Sequence, residues 1–168
     1  AWRASELSSL MLTYLGQSAE AMEKRDFSTL CLALVPPILA EKPTHVKVDY
    51  NFDKKGQYIQ TSPKLMQKLI ANLIDNAFEA IHQTDSPIIS INLASVSSDR
   101  IPSQNRHPVG WKPVHENYAD LSIKDNGNGI ESHELDKIFD PFYTSKMTGR
   151  GMGLAVILGI LRTHEGAI

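Results

Sequence analysis

Cysteine is nearly absent from this chain. Cys31 is the one thiol in 168 residues, which excludes an internal disulfide and a cysteine-built zinc site and fits a reducing compartment. An excess of positive charge is missing as well. The 17 Lys and Arg stand against 19 Asp and Glu, a formal charge of -2, so there is no basic stripe of the kind nucleic acid demands. No apolar run comes near the roughly 18 residues that cross a bilayer, and no secretory signal pattern is present. Neither nucleic acid nor membrane is expected as a partner of these residues, and a cytoplasmic setting is. What remains, 42% hydrophobic and 21% charged, is enough for one core, so one globular unit with an appendage is expected at this length.

Glycine is also sparse, and unevenly placed. Of 10 glycines, Gly127, Gly129, Gly149, Gly151 and Gly153 lie close together. They sit in DNGNGI (Asp125–Ile130) and GRGMGL (Gly149–Leu154), on either side of IFDPFYTSK (Ile138–Lys146). Glycine lets main chain approach where a side chain would collide, so two such clusters around an aromatic, proline-containing segment point to a flat, anionic ligand. The reading is a nucleotide pocket.

Leu7, Leu10, Met11, Tyr14, Leu15 and Met22 recur at helical spacing. This predicts a helix from Ser5 to about Met22 whose apolar stripe faces either a second chain or the core. Asp26 or Ser28 is placed to cap a second helix reaching Val35, which Pro36 and Pro37 are expected to stop or kink. Val46, Val48, Tyr50 and Phe52 alternate with polar residues as a half-buried strand. A Lys54–Gly56 turn then leads to a strand at Tyr58–Gln60, the two forming a hairpin. Ser62 and Pro63 read as an N-cap and first helical position, opening a helix to His82. Strands are expected at Ile88–Leu93 and Asp120–Lys124. The run 95–118 between them lacks periodicity and is expected to be a surface insertion or a mobile loop, with Trp111 the one residue there that seeks burial. Its His107 and His115 have no third ligand in view, so no metal is expected. Ala155–Leu161 is expected to be helical despite Gly159.

Several side chains carry chemistry. Asn72 and Asn76 lie four apart on the border of an apolar helix face, with Glu79 three beyond. Asparagine is a poor helix former, so the pair either caps and meets solvent or offers carbonyl oxygens to a hard cation such as magnesium. Asp125 follows a strand and precedes two glycines. A carboxylate only accepts hydrogen bonds, so at the base of a pocket it selects a ring amine such as adenine N6 and rejects the O6 acceptor of guanine; the plainer readings are a calcium-type loop, for which the downstream Glu spacing and flanking helices are absent, or an ordinary Asp-Asn-Gly turn. Phe139 and Phe142 are either core aromatics or a clamp on a lid. Gly149, Gly151 and Gly153 open a helix whose backbone N–H groups favour phosphate, flanked by Lys146 and Arg150. The GxGxG spacing is neither a P-loop nor a dinucleotide fingerprint.

In the order paired-asparagine helix, DNGNG, FDPFYTSK and GRGMGL, from about Val46 to Ile168, the sequence resembles the ATP-binding catalytic domain of sensor histidine kinases. That family lies within the wider group shared with gyrase, the Hsp90 chaperone and MutL. The resemblance implies an α/β fold, a two-layer α/β sandwich in which a mixed sheet is covered on one side by helices, with a flexible lid. It implies ATP and Mg2+ as ligands. Asn72 and Asn76 then take metal-binding and catalytic roles, Lys146 a catalytic one. Asp125, Gly127, Gly129 and Ile130 surround adenine, Phe139 and Phe142 form the aromatic box, and Arg150, Gly151, Met152, Gly153 and Leu154 attend the phosphates.

LMLTYLGQ resembles the end of the second helix of a dimerisation and phosphoacceptor hairpin. This divides the chain into a helical extension, 1–22, and a catalytic domain, 23–168, with an insertion at 95–118. None of the six histidines sits in a phosphoacceptor box, so the acceptor is expected upstream of Ala1, and the chain stops at HEGAI before the family's closing strands. Glu79 departs from a position that is often basic. The implied activity moves the γ-phosphoryl of ATP to a histidine outside these residues, then to an aspartate of a response-regulator receiver domain. The implied partners are the upstream hairpin, which makes the full protein a homodimer, and that receiver; the full protein is cytoplasmic or the cytoplasmic part of a membrane-bound sensor. The alternatives are another ATPase of the wider group, or an inactive ATP-binding scaffold.

Overall fold

The computed structural model describes residues 4–17, 20–52, 56–81, 84–104, 106–143 and 151–168. Contacts divide them between two compact units, one formed by Met22–Ile101 and His115–Gly129, the other by Ala1–Ala21, Pro102–Val114 and Ile130–Ile168.

The first unit is built on a three-stranded mixed sheet. Strand β2 (Lys47–Phe52) runs parallel to β4 (Ile88–Ser97), and β4 runs antiparallel to β5 (Asn117–Asp125). The register places Val48, Tyr50 and Phe52 beside Ile89, Ile91 and Leu93, and those beside Asp125, Ile123 and Leu121. Side-by-side residues share a face, so one face of the sheet is apolar; Ile89 and Ile91 are fully buried. The other face carries Asp49, Asn51, Ser90, Asn92, Ser122 and Lys124, as a period of two requires.

Helix α3 (Pro63–Ala80) packs on β5 and on α2 (Phe27–Ala40). It starts where Pro63 has no N–H to lose, with Ser62 in extended conformation at the N-cap. Leu65, Met66, Leu69, Ile70, Ile74 and Ala77 form its buried stripe; burying each large aliphatic contributes about 1.5–3 kcal/mol. Asp26 caps α2 by accepting from the Thr29 N–H at 3.0 Å.

Three expectations in this unit give way. Helix α2 runs past Val35 to Ala40 with Pro36 and Pro37 inside it. The carbonyls deprived of a donor are those of Leu32 and Ala33, both on exposed residues, so solvent is within reach of the unpaired groups. The expected hairpin does not form: β2 pairs parallel with β4, while β3 (Tyr58–Thr61) pairs antiparallel with β1 (Glu23–Asp26). Strand β1 reads EKRD, has no alternation to betray it, and is held by its backbone ladder and by Lys24 Nζ at 5.0 Å from the Tyr58 ring centre. Finally, the β4–β5 ladder extends from Ile89 and Asp125 out to Ser97 and Asn117, taking both ends of the supposed 95–118 loop into strand.

The second unit centres on α4 (Gly153–Thr163), buried on every side from Ala155 to Ile160, as a helix apolar all round must be. Helix α1 (Ala4–Tyr14) packs against it. Gly159 permits the approach, since a Cβ there would stand 2.1 Å from the Thr13 carbonyl oxygen. The helix expected to reach Met22 stops at Tyr14. Gly16 takes a φ of 71°, its N–H donates to Thr13 O at 3.0 Å and the Gln17 N–H to Leu12 O at 2.9 Å, which together make a Schellman stop.

His107 and Trp111 are also tied down within this unit. His107 and Ile168 exchange two backbone hydrogen bonds of 2.8 and 3.0 Å. Trp111 is half-buried, and its Nε1 donates to Glu165 O at 2.9 Å.

Candidate functional site

Asp125 ends β5. Its pairing with Ile89 puts it on the apolar, helix-bearing face of the sheet, at an exposed position. Asp125 Oδ1 accepts from the Gly127 N–H at 2.9 Å, the local turn that Asp favours. Its Oδ2 receives no donor among the described residues.

The turn is fixed from two directions. Asn126 Oδ1 accepts from the Ile88 N–H at 2.8 Å, its Nδ2 donates to Ser86 O at 2.9 Å, and its own N–H donates to Ile88 O at 3.3 Å. On the other side Gly127 abuts the end of α3: a Cβ at this position would stand 2.3 Å from the Ala80 carbonyl oxygen. The Asn128 N–H donates to that same oxygen at 3.3 Å. Ala80 lies one turn beyond Asn76, so the fold brings the DNGNG turn to the helix that carries the paired asparagines. Gly129 has a φ of 70°, and Ile130, in the other unit, is 53% exposed.

Asn72 and Asn76 are both half-buried on α3. Asn72 Nδ2 donates to Lys68 O at 2.7 Å, which commits its nitrogen and leaves Oδ1 as the acceptor. Asn76 Nδ2 is buried without a hydrogen-bond partner among the described residues. An orphaned buried donor costs about 1–3 kcal/mol and calls for an explanation such as a site. Between them Asp75 is paired with Lys42 from the end of α2, while Glu79 is exposed. No group of three His, Cys, Asp or Glu among the described residues would hold a metal alone. Two amide oxygens suit magnesium, which draws its remaining ligands from water and phosphate.

The second unit separates the two aromatics. Phe139 is 8% exposed and packs at a tilt against the His107 ring, 4.4 Å between centres; it is a core residue. Phe142 is 56% exposed and has a φ of 69°, a conformation that costs a non-glycine residue about 1–2 kcal/mol. Its N–H donates to Gly151 O at 2.7 Å. Gly151 has a φ of 64°, and a Cβ on it would stand 2.4 Å from the Phe142 carbonyl carbon, so this junction admits glycine alone. The Tyr143 hydroxyl donates to Glu134 Oε1 at 3.0 Å; that bond, with desolvation and the Glu134 charge, raises the phenol above its usual range.

Met152, buried at 5% exposure, is the N-cap of α4, with Gly153 and Leu154 in its first turn. Lys146, Gly149 and Arg150 lie outside the described residues, as do His82 and most of the Lys54–Gly56 turn. Sequence reasoning passed over Asn126 and the Ala80 carbonyl. Asn126 stands inside the motif but reads there as a turn former, and no side-chain pattern marks a backbone carbonyl.

Comparison with known proteins follows the same lines. Residues 61–168 match the family described as histidine kinase-, DNA gyrase B-, and HSP90-like ATPase. The chain is 31% identical over 123 residues to sensor histidine kinase ZraS of Salmonella typhimurium, covering 73% of this chain and 22% of that protein. It is 27% identical over 126 residues to sporulation kinase C of Bacillus subtilis, covering 74% and 24%. The chain thus spans less than a third of the curated relatives it matches. Among solved structures, the mycobacterial sensor histidine kinase MprB superposes with a TM-score of 0.63 at 17% identity, over 86% of this chain and 80% of that one. At that identity the likeness establishes the fold, the α/β sandwich of histidine kinase catalytic domains, as the sequence led one to expect.

Proposed function

Because this chain belongs to the family of histidine kinase-, DNA gyrase B- and HSP90-like ATPases, we propose that it binds Mg2+-ATP and acts as the catalytic domain of a sensor histidine kinase. The observation that carries the reading is Asp125. It sits on the apolar face of the sheet with one carboxylate oxygen taken by Gly127 and the other without a donor among the described residues. An open carboxylate oxygen beside an apolar floor accepts from the amine of adenine and repels the O6 of guanine.

The remaining roles follow from residue chemistry and family resemblance. Asn76 and Asn72 would hold magnesium through their side-chain oxygens, the Asn72 nitrogen being committed to Lys68 O. Magnesium, when bound, offsets phosphate charge as the γ-phosphoryl is transferred. By family resemblance, Gly127, Gly129 and Ile130 are each assigned to adenine. Gly151, Met152, Gly153 and Leu154, at the amino end of α4, offer backbone N–H groups to phosphate, with Lys146 and Arg150 as cationic partners and Phe142 as an exposed aromatic. Phe139, buried against His107, supports the aromatic box from the core.

The phosphoryl group passes to a histidine nitrogen on a helical hairpin outside these residues, ADP leaving, and then to a receiver aspartate. Calorimetric titration of ATP and GTP, with Asp125→Ala alongside, tests the reading. ATP is expected to bind more tightly than GTP, with the preference lost in the variant. Equal binding of both nucleotides by the unaltered chain overturns it. Incubation with labelled ATP is expected to leave no phosphohistidine on this chain, and stable labelling would contradict the assigned division of labour.

A further inference from the structure

Asn126 does what a further strand residue would do. Beyond the last ladder pair, Ile89 with Asp125, its backbone N–H donates to Ile88 O at 3.3 Å while its side-chain oxygen accepts from the Ile88 N–H at 2.8 Å. The same amide then reaches back with Nδ2 to Ser86 O at 2.9 Å. Three bonds therefore tie the residue next to Asp125 to the start of β4. The chain leaves the sheet at this point, and Asp125 itself is exposed, so no packing holds its carboxylate in place. Its direction is set by the backbone on its two sides. The ladder fixes one side, and the Asn126 clamp, with the Gly127 N–H bond to Asp125 Oδ1 at 2.9 Å, fixes the other.

We propose that Asn126 is a positioning residue for base selection: by clamping the turn to β4 it aims the open oxygen of Asp125, and it sets nucleobase preference without touching the base. The assignment rests on the adenine-reading role given to Asp125 above. Only an amide fits the clamp, because the two groups it meets are a donor, Ile88 N–H, and an acceptor, Ser86 O. An aspartate keeps the first bond and sets carboxylate against carbonyl at the second, and a serine is too short to span both.

The test is a double-mutant cycle on the full chain, reading the ratio of ATP to GTP affinity by calorimetry. Asn126→Ala and Asn126→Asp are each expected to reduce that ratio about three- to tenfold, the worth of one or two hydrogen bonds. In an Asp125→Ala background Asn126→Ala is expected to change nothing further, whereas a merely structural role would weaken binding equally in both backgrounds. Hydrogen exchange at the Gly127 amide, which reads the turn without nucleotide, is expected to accelerate in Asn126→Ala while the amides of α3 keep their protection. A ratio unmoved by Asn126→Ala, an equal loss in both backgrounds, or unchanged exchange at Gly127 each overturn the assignment. A wild-type chain with no preference for ATP overturns the functional reading, and this assignment with it, so the two failures are told apart by the wild-type measurement.

Discussion

Gly127 lies against the last turn of α3 so closely that a methyl group on its Cα would stand 2.3 Å from the carbonyl oxygen of Ala80. The close approach serves the turn twice, since Asn128 donates to that same oxygen. Gly127→Ala must therefore push the Asp125–Gly129 turn off the helix. A destabilisation of about 1–3 kcal/mol is expected from the overpacking, read as a lower urea midpoint with unchanged m-value, together with loss of ATP binding in calorimetry. A variant of wild-type stability and affinity would show that the turn does not need this contact.

Asn76 separates stability from function. Its amide nitrogen is buried and has no partner among the described residues, so replacing it by an apolar residue of similar size removes a polar group that the fold leaves unsatisfied. Asn76→Leu is expected to leave the thermal midpoint unchanged or higher, while abolishing the difference in ATP affinity between magnesium and EDTA buffers. Sites commonly trade stability for function in this way. Retention of the magnesium effect in this variant would remove Asn76 from the metal site.

His164 makes stability pH-dependent. Burial lowers its pKa, partly opposed by the hydrogen bond that its Nδ1 donates to Ile160 O at 2.7 Å. The folded state thus disfavours the proton that the unfolded state accepts near pH 6.5. The unfolded chain binds more protons below that value, so this contribution is fully present above about pH 6.5 and is lost as pH falls toward the folded pKa. Urea titrations at pH 7.5 and 5.5 are expected to show a larger loss for the wild type than for His164→Gln. Equal losses would mean that the ring titrates alike in both states.

Glu165 occupies the left-handed position at the end of α4, with a φ of 52°. The bonds of a Schellman stop surround it, Glu165 N–H to Arg162 O at 3.3 Å and Gly166 N–H to Leu161 O at 2.8 Å. Glycine is the residue this position favours, as Gly16 demonstrates at the end of α1. Glu165→Gly is expected to stabilise the chain by about 1 kcal/mol, raising the thermal midpoint by a few degrees. A lower midpoint would show that the Glu165 side chain contributes more than its backbone strain costs.

Elements with a strong side-chain period were legible in the chain itself. The amphipathic stripe of α3, its Ser62–Pro63 start, the Asp26 cap and the apolar alternation of β4 all follow from local chemistry. The motif order was enough to place the family, because four spaced clusters of Gly, Asn, Asp and Phe rarely arise without a ligand to shape them. Strand β1 was not legible, since its four residues are nearly all exposed and only backbone pairing with β3 makes them a strand. Helix α2 continuing through Pro36 and Pro37 was also invisible, because the cost of the missing bonds depends on whether Leu32 and Ala33 face water.

Among the candidate site residues, residue identity was enough to single out Asp125, Asn76 and the glycines, since each has a chemistry that few residue types can supply. What the tertiary structure decided was which of them the fold holds, and how. It buried Phe139 and exposed Phe142, which local sequence treats alike, and it turned Asn126 from a loop residue into a clamp. It also set the Ala80 carbonyl where Gly127 alone can pass. The physical reason is the same in each case: hydrogen-bond partners and close contacts are made by residues distant in the chain, and one-dimensional spacing carries no record of which backbone will lie beside which.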